Sequence, residues 1–270
     1  MKYMHFRASC SFTALAEIME SYGVDAEDYS IAMEMKLPWL FTKEDGAYVC
    51  GINHQGAKWF DLWLMPRGFR MEESAIDKSD ISDYLKSRKN IMLGIKTEYG
   101  KHAVVLKNYD GKYHFFNPVH EGSDQPVDLS MSERELLDSV EDIIMVGGVV
   151  RANPETVDLM PLLKNSIEIL KNCLGDVEVF AKEEHSAQEY ALAMDRLFRP
   201  LLLDGITMLE LAGEELLAVE FHKVQKDFLS FMRGPKTGKL MNSLSLERLH
   251  AITMEYADLI EKQILCDSGF

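Results

Sequence analysis

The chain has 270 residues, of which 47% are hydrophobic and 27% charged, and it carries a formal net charge of −15. This composition is typical of a folded globular protein, and the length allows one large domain or two of ordinary size. Acidic residues outnumber basic ones in both halves of the chain. The charge therefore argues against nucleic acid or an anionic membrane surface as a general partner.

Four cysteines stand far apart, at positions 10, 50, 173 and 266. They lack the close pairing of a disulfide framework or a zinc site. The N-terminal residues form no apolar signal-peptide core, and nowhere do about 18 apolar residues follow one another. We therefore expect a cytoplasmic protein with reduced thiols, no cofactor and no metal. A weaker alternative is a zinc site formed by Cys50, His54, His114 and His120.

The first predicted helix begins at Cys10. Its apolar residues recur at helical spacing (Phe12, Leu15, Ala16, Ile18, Met19 and Tyr22), and Gly23 offers a C-terminal cap. The unpaired backbone N–H groups and the macrodipole at the start of a helix favour a thiolate over a thiol. Cys10 is therefore a candidate nucleophile. The alternative is that Cys10 is simply a small buried hydrophobic residue.

Three short apolar runs after residue 90 predict an antiparallel meander. They cover residues 91–97, 100–106 and 113–118, and turn residues that include Asp110 separate them. His102 opens the second run and Asn117 closes the third, so two paired strands would place both at the same end of the sheet. Asn117 would then orient His102 as the base for Cys10, with Asp110 as the alternative orienting residue.

The region between the first helix and the meander is mixed. It predicts a strand over 47–50, a helix from Gln55 to Met65 and a second helix from Asp80 to Arg88. Trp59 and Trp63 lie on one side of the first of these helices. They are candidates for the wall of a substrate groove, but large aromatic residues are more often core anchors.

A cysteine that opens a helix, a histidine that opens a later strand and a strand that ends in Asn-Pro together resemble the compact papain-like cysteine hydrolases. The first 150 residues are most similar to the bacteriocin-leader peptidases and to the N-terminal domain of the butirosin biosynthesis protein H family. The stretch from Leu37 through Trp59–Leu64 to Phe69 resembles the latter. The resemblance implies that Cys10 forms the acyl-enzyme, that His102 is the base and that Asn117 orients it.

These families carry a glutamine shortly before the cysteine, and this chain has none there. The resemblance implies that the glutamine helps to bind the oxyanion. His5 or the backbone N–H of Cys10 is the candidate substitute, because an oxyanion hole requires oriented donors rather than one residue type.

The pattern changes after a final predicted strand over 143–150. Asn153-Pro154-Glu155 predicts a helix start, and only helical periodicity follows. We therefore predict an α+β fold: a papain-like domain over 1–152 and an all-α helical bundle over 153–270. Leu201-Leu202-Leu203 is expected at the centre of the bundle.

Two functions from different classes follow from these observations. The first is a cysteine amidohydrolase or acyltransferase of secondary metabolism that acts on a small amide, thioester or peptide. An acyl carrier is one expected donor, and Lys86, Arg88 and Lys89 form the basic cluster that could contact it. The second is a catalytically silent binding or assembly module. The helical domain is expected either to wall the groove or to form a homodimer.

Overall fold

The computed structural model describes residues 2–6, 10–98, 100–233 and 244–267. Its fold is mixed α+β, with a six-stranded antiparallel sheet and a separate two-stranded sheet. The chain divides into two compact units. Unit 1 comprises Met1–Met35 and Gln55–Val157, and unit 2 comprises Lys36–His54 and Asp158–Phe270.

The elements follow one another in chain order as α1 (Cys10–Glu20), α2 (Asp28–Glu34), β1 (Phe41–Glu44), β2 (Ala47–Cys50), α3 (Ala57–Leu64), β3 (Phe69–Asp77), α4 (Ile81–Lys86), β4 (Ile91–Thr97), β5 (Gly100–Tyr109), β6 (Tyr113–Phe116), β7 (Asp128–Met131), α5 (Glu133–Ser139), β8 (Ile143–Arg151), α6 (Met160–Lys182), α7 (Ala187–Ala193), α8 (Gly205–Leu211), α9 (Glu215–Arg233) and α10 (Leu246–Asp267).

The sheet of unit 1 has the strand order β3-β8-β4-β5-β6-β7. The meander β4-β5-β6 has the predicted connectivity, because short turns between apolar runs favour antiparallel neighbours. One face of this sheet packs on α4 and α5 around a buried core, whose residues are Ile81, Leu85, Leu93, Ile95, Val104, Leu106, Tyr113, Phe115, Leu136, Val140, Ile144 and Val146.

Helix α1 lies on the opposite face of the sheet. Its Phe12, Leu15 and Ile18 side chains are fully buried, as the helical spacing predicts. Glu17, one of its polar residues, forms an ion pair with Lys107 of β5 at 2.5 Å. The apolar face of α1 thus fixes the helix, and its first residue Cys10, against β5.

Two strands of unit 1 are absent from the sequence-based prediction. Both lie at the edges of the six-stranded sheet: β3 pairs with β8 at one edge, and β7 pairs with β6 at the other. In β3, only Phe69 and Met71 are buried, and its second half is polar. Edge strands lack the continuous apolar run of central strands, so periodicity alone does not reveal them.

The predicted helix start at Asn153-Pro154 is wrong, since the helix begins at Met160. The backbone N–H of Ala152 donates to the Gly68 carbonyl at 2.9 Å, and that of Glu155 donates to the Met65 carbonyl at 3.1 Å. Pairing with the segment before β3 therefore keeps the chain extended beyond β8. A proline does occur in the first turn of this helix, but it is Pro161, the second helical residue.

Unit 2 is not the all-α domain over 153–270 that the sequence predicts. Its longer part begins at Asp158, and the segment Lys36–His54, expected in the first domain, also belongs to unit 2. This segment forms the hairpin β1-β2. Ser166 of α6 accepts a hydrogen bond from Phe41 N at 2.9 Å and also contacts the Phe41 carbonyl at 3.2 Å. The hairpin is thereby joined to the helices.

The leucine-rich segment of unit 2 is buried at Leu201 and Leu202, as expected, and at Leu209. Leu203, also expected at the centre, is only partly buried. The backbone is π-helical over Met194–Phe198 and Pro200–Asp204 before α8 begins. Across the described ranges, none of the helices combines the length and apolar character that a membrane span requires.

Candidate active site

Cys10 is the first residue of α1 and is partly exposed. The backbone N–H of Ala103 in β5 donates to its Sγ at 3.0 Å. The N–H groups of Cys10 and Ser11 at the helix start also favour the thiolate. The structure therefore places the Cys10 sulfur at the junction of a helix start and a strand, with Ser9 outside the described residues.

His102 and Asn117 meet at one end of the sheet. The distance between His102 Nε2 and Asn117 Oδ1 is 2.7 Å. Register explains the meeting: Phe116, the last residue of β6, pairs with Val105 of β5, so Asn117 continues toward the start of β5. The sequence predicts that these two side chains meet, and the structure brings them together.

The Asn117 amide also determines which nitrogen of His102 carries the proton. Asn117 Nδ2 donates to the Pro126 carbonyl at 2.7 Å, so its Oδ1 faces His102 as an acceptor. His102 Nε2 must then be the N–H of the neutral ring. Nδ1 keeps its lone pair, which is the requirement for a general base.

Burial shifts both titratable groups toward their neutral forms. It raises the pKa of the Cys10 thiol, and the N–H donors of Ala103, Cys10 and Ser11 only partly oppose this shift. Burial lowers the pKa of His102, against the opposing effects of Asn117 and the Pro118 carbonyl. Desolvation of the sulfur thus opposes the effect of the helix start, which by itself favours the thiolate.

Within the described residues, no hydrogen bond joins Cys10 to His102. The sulfur contacts the backbone of Ala103, the next residue in the strand. Because successive side chains of a strand point to opposite faces, the ring must turn at the strand end to reach the sulfur. Catalytic hydrogen bonds are often longer without substrate than in the reacting complex.

A cavity of about 200 Å³ lies beside Cys10 on the α1 face of the sheet. Ser11 and Ala103 line its end nearest the sulfur, and Phe60 of α3 lines a wall. Its other lining residues are Gln55, Gly56, Met71, Glu73, Met92, Leu93, Gly94, Met145, Val146 and Gly147. We call this space the sheet cavity. It is concave and largely apolar, and the described residues that line it include neighbours of Cys10 and His102 but neither residue itself.

His5, the expected oxyanion donor, is bound to a buried carboxylate. Its Nδ1 lies 2.6 Å from Asp28 Oδ1, and its backbone N–H donates to Asp28 Oδ2 at 2.8 Å. Thr13 of α1 donates to the same carboxylate at 3.0 Å. Because a carboxylate accepts hydrogen bonds, the neutral His5 ring has its proton on Nδ1. Nε2 is then a donor only when the ring is protonated, so the backbone N–H of Cys10 is the simpler oxyanion donor.

Trp59 and Trp63 are not among the residues that line the sheet cavity. Both are buried, at 3% and 2% exposure. Trp63 Nε1 donates to Glu34 at 3.2 Å, and the Arg67 guanidinium lies over its ring. They are core anchors of unit 1, and the helix contributes Phe60 to the cavity instead. One helical position separates Trp59 from Phe60, and sequence spacing does not decide which of them faces a cavity.

The residues of the zinc alternative make separate contacts. His54 bonds to Thr42 and to the Gly51 carbonyl, and His114 lies 2.7 Å from Asp110. His120 Nδ1 contacts the Met4 carbonyl at 2.8 Å. In the described part of the chain, no three His, Cys, Asp or Glu side chains are grouped so that they could hold a metal ion.

The basic cluster expected to contact a carrier is partly paired with acids. Lys86 lies 2.9 Å from Asp83 and 3.8 Å from Glu133, and the Arg88 guanidinium stacks over Tyr84. These local contacts reduce the positive charge that the cluster presents.

Sequence analysis did not identify Ala103, Asp28 or Glu73 as site residues. Ala103 contacts the Cys10 sulfur with its backbone N–H, and Asp28 is a buried carboxylate that binds His5. Glu73 lines the cavity from the edge strand β3. None of these three features leaves a residue pattern. No protein-family model matches the chain, and no curated protein is significantly similar to it.

Proposed function

We propose that the protein is a papain-like cysteine hydrolase or acyltransferase, with Cys10 as nucleophile, His102 as general base and Asn117 as orienting residue. The observation that carries the proposal is the bonded His102–Asn117 pair immediately beside the strand N–H that holds the Cys10 sulfur. General-base activation of a thiol requires a base in the correct tautomer and a sulfur in a defined position. The contacts of His102 and Cys10 meet these two requirements.

The first half of the proposed reaction forms an acyl-enzyme. His102 Nδ1 takes the proton from the Cys10 thiol as the sulfur attacks the carbonyl carbon of an amide or thioester. The backbone N–H groups at the start of α1 stabilise the negative oxygen. The bond from carbon to nitrogen or sulfur then breaks, and the leaving group takes the proton from His102.

The second half releases the acyl group. Water or an amine gives a proton to His102 and attacks the acyl carbon, the bond to sulfur breaks, and the thiol recovers its proton. Hydrolysis and acyl transfer differ only in this acceptor. An acyl-enzyme formed on Cys10 is therefore the event common to both activities.

The test is acylation by a simple thioester, S-hexanoyl-N-acetylcysteamine, followed by intact mass and peptide mapping. We expect acyl mass at Cys10 in the native protein and none there in Cys10→Ala. His102→Ala should slow acylation at least about a hundredfold, the usual scale of general-base catalysis.

Cys266→Ala is the matched control, because Cys266 is the exposed cysteine. We expect it to be acylated like the native protein. Acylation at Cys10 that is equally fast without His102 would overturn the proposal. That result would favour the catalytically silent binding module, in which Cys10 is only a partly buried thiol.

A further inference from the structure

The sheet cavity crosses four strands of the six-stranded sheet. Ala103, Gly94, Gly147 and Glu73 occupy four adjacent strands, β5, β4, β8 and β3, on one face. Gly147 pairs with Glu73 and with Met92, two residues along β4 from Gly94. With strands ~4.8 Å apart and a rise of ~3.4 Å per residue, Ala103 and Glu73 are therefore about 16 Å apart along the sheet. The cavity therefore runs across the sheet from Ala103, whose backbone N–H donates to the Cys10 sulfur, toward an acidic residue.

The floor of the cavity is made by small residues. A Cβ added to Gly94 would meet nothing within 4 Å, and one added to Gly147 would meet Met71 Sδ at 3.4 Å. Side chains at these positions would occupy the space that the cavity provides. Phe60, Met71 and Met92 give the walls apolar and adaptable surface.

Of the described residues that line the cavity, Glu73 is the one that carries a charge. Its carboxylate lies against Gly56, with Oε1 3.3 Å from the place of a Cβ there. Among the described residues, no cation or hydrogen-bond donor pairs with it. Arg70, the nearest arginine in β3, instead bonds to Glu72 at 2.5 Å, and both lie on the opposite face of the strand.

We propose that the sheet cavity selects substrates that carry an aliphatic stem with a cation at its end, as in a lysine or arginine side chain, and that Glu73 is the specificity residue. This inference rests on the proposed function, because Cys10 defines the reacting end. The apolar walls suit the stem and the carboxylate suits the cation. The net charge of −15 also favours the approach of a cationic substrate.

The test uses two alkylating probes with the same carbon stem, Nα-acetyl-lysine chloromethyl ketone and Nα-acetyl-norleucine chloromethyl ketone. Peptide mapping gives the rate at which each alkylates Cys10. We expect the lysine probe to react about fivefold faster, the scale of an ion pair at a partly exposed site. Glu73→Gln should bring the ratio close to one, whereas Glu72→Gln, the neighbouring control, should leave it unchanged.

A second variant tests the space itself. Gly94→Val fills the floor without requiring a left-handed backbone, and Gly94→Ala is the milder version if valine impairs folding. We expect valine to lower the rate of the lysine probe relative to iodoacetamide by at least about tenfold. The alanine variant should give an intermediate ratio.

The outcomes separate this inference from the proposed function. If His102 accelerates alkylation of Cys10 but both probes react equally and Gly94→Val has no effect, the inference fails and the proposed function stands. If His102→Ala alkylates as fast as the native protein, the proposed function fails, and the substrate assignment fails with it.

Discussion

The Asn117 amide joins His102 to the Pro126 carbonyl through two hydrogen bonds of 2.7 Å each. The second bond fixes the orientation of the amide, and the first thereby fixes the His102 tautomer. A loop carbonyl beyond β6 thus determines which histidine nitrogen faces away from Asn117. Asn117 itself is only 4% exposed, so water competes little for either bond.

Replacing Asn117 should therefore impair the base more than the fold around it. We expect Asn117→Ala to lower acylation of Cys10 about tenfold to a hundredfold, because His102 loses its fixed tautomer. Asn117→Asp should also raise the pKa of His102, moving the acidic limb of the pH–rate profile to higher pH. Asn108→Ala, at an exposed position of β5, is the control. An unchanged profile in Asn117→Asp would contradict the orienting role.

The pH dependence of Cys10 alkylation should be that of a thiol rather than of an ion pair. Burial raises the pKa of Cys10 from 9.0 and lowers that of His102 from 6.5, so we expect little thiolate at neutral pH. We expect the rate with iodoacetamide to rise with pH to beyond pH 9. A plateau reached already near pH 5 would indicate a thiolate–imidazolium pair instead. Liquid chromatography with mass detection of the Cys10 peptide gives the rate.

Ser166 tests the assignment of the β1-β2 hairpin to unit 2. Its hydroxyl contacts both backbone groups of Phe41 and the Leu162 carbonyl, the last at 2.8 Å. Ser166→Ala leaves the buried Phe41 N–H without this acceptor. We expect a loss of about 1–3 kcal/mol in the free energy of unfolding, measured in urea. A loss below 0.5 kcal/mol, the usual limit for surface substitutions, would show that the contact is unimportant.

In contrast to the loss expected for Ser166→Ala, replacing Thr253 of α10 should stabilise the protein. Its hydroxyl is buried, and it is the one buried side-chain polar atom of the described residues that has no hydrogen-bond partner. Thr253→Val replaces the hydroxyl with a methyl group of similar size. We expect the free energy of unfolding to rise by about 1 kcal/mol, and thermal unfolding should show it. A lower melting temperature would mean that the hydroxyl has a partner, such as water.

Asp204 should make the stability of the protein pH-dependent. Burial raises its pKa from 3.8 to about 6, despite the opposing effects of Arg199 and Asn53. The folded protein then holds the proton more tightly than the unfolded chain. Its contribution is fully present below pH 3.8 and is lost as pH rises through 6, a change of about 3 kcal/mol.

The test of this pH effect is urea unfolding from pH 4 to pH 7. Asp204→Asn should remove the fall in unfolding free energy attributable to this group. Asp195→Asn, an exposed aspartate in the neighbouring π-helical segment, should retain it. Equal slopes in the native protein and in Asp204→Asn would show that Asp204 is already ionised in this range.

The sequence by itself predicted the elements that carry strong local patterns. Helical periodicity after Cys10, the apolar runs around His102 and the Asn-Pro after β6 each depend on residues close in the chain. Short turns then force antiparallel neighbours, so the meeting of His102 and Asn117 follows from local connections. The buried apolar face of α1 is predictable for the same reason, because it depends on residues close in the chain.

Tertiary structure alone decided the rest. The hairpin β1-β2 belongs to unit 2, where Phe41 bonds to Ser166. These two residues are 125 positions apart in the chain, so no local pattern could predict their contact. The raised pKa of Cys10 depends on desolvation by residues that α1 and β5 bring together, which opposes the effect of the helix start. Trp59 packs in the core, whereas Phe60 lines the cavity. The position of the neighbouring strands decides which of these two adjacent helical residues faces open space. Burial and long-range register are properties of the assembled chain, and no local pattern encodes them.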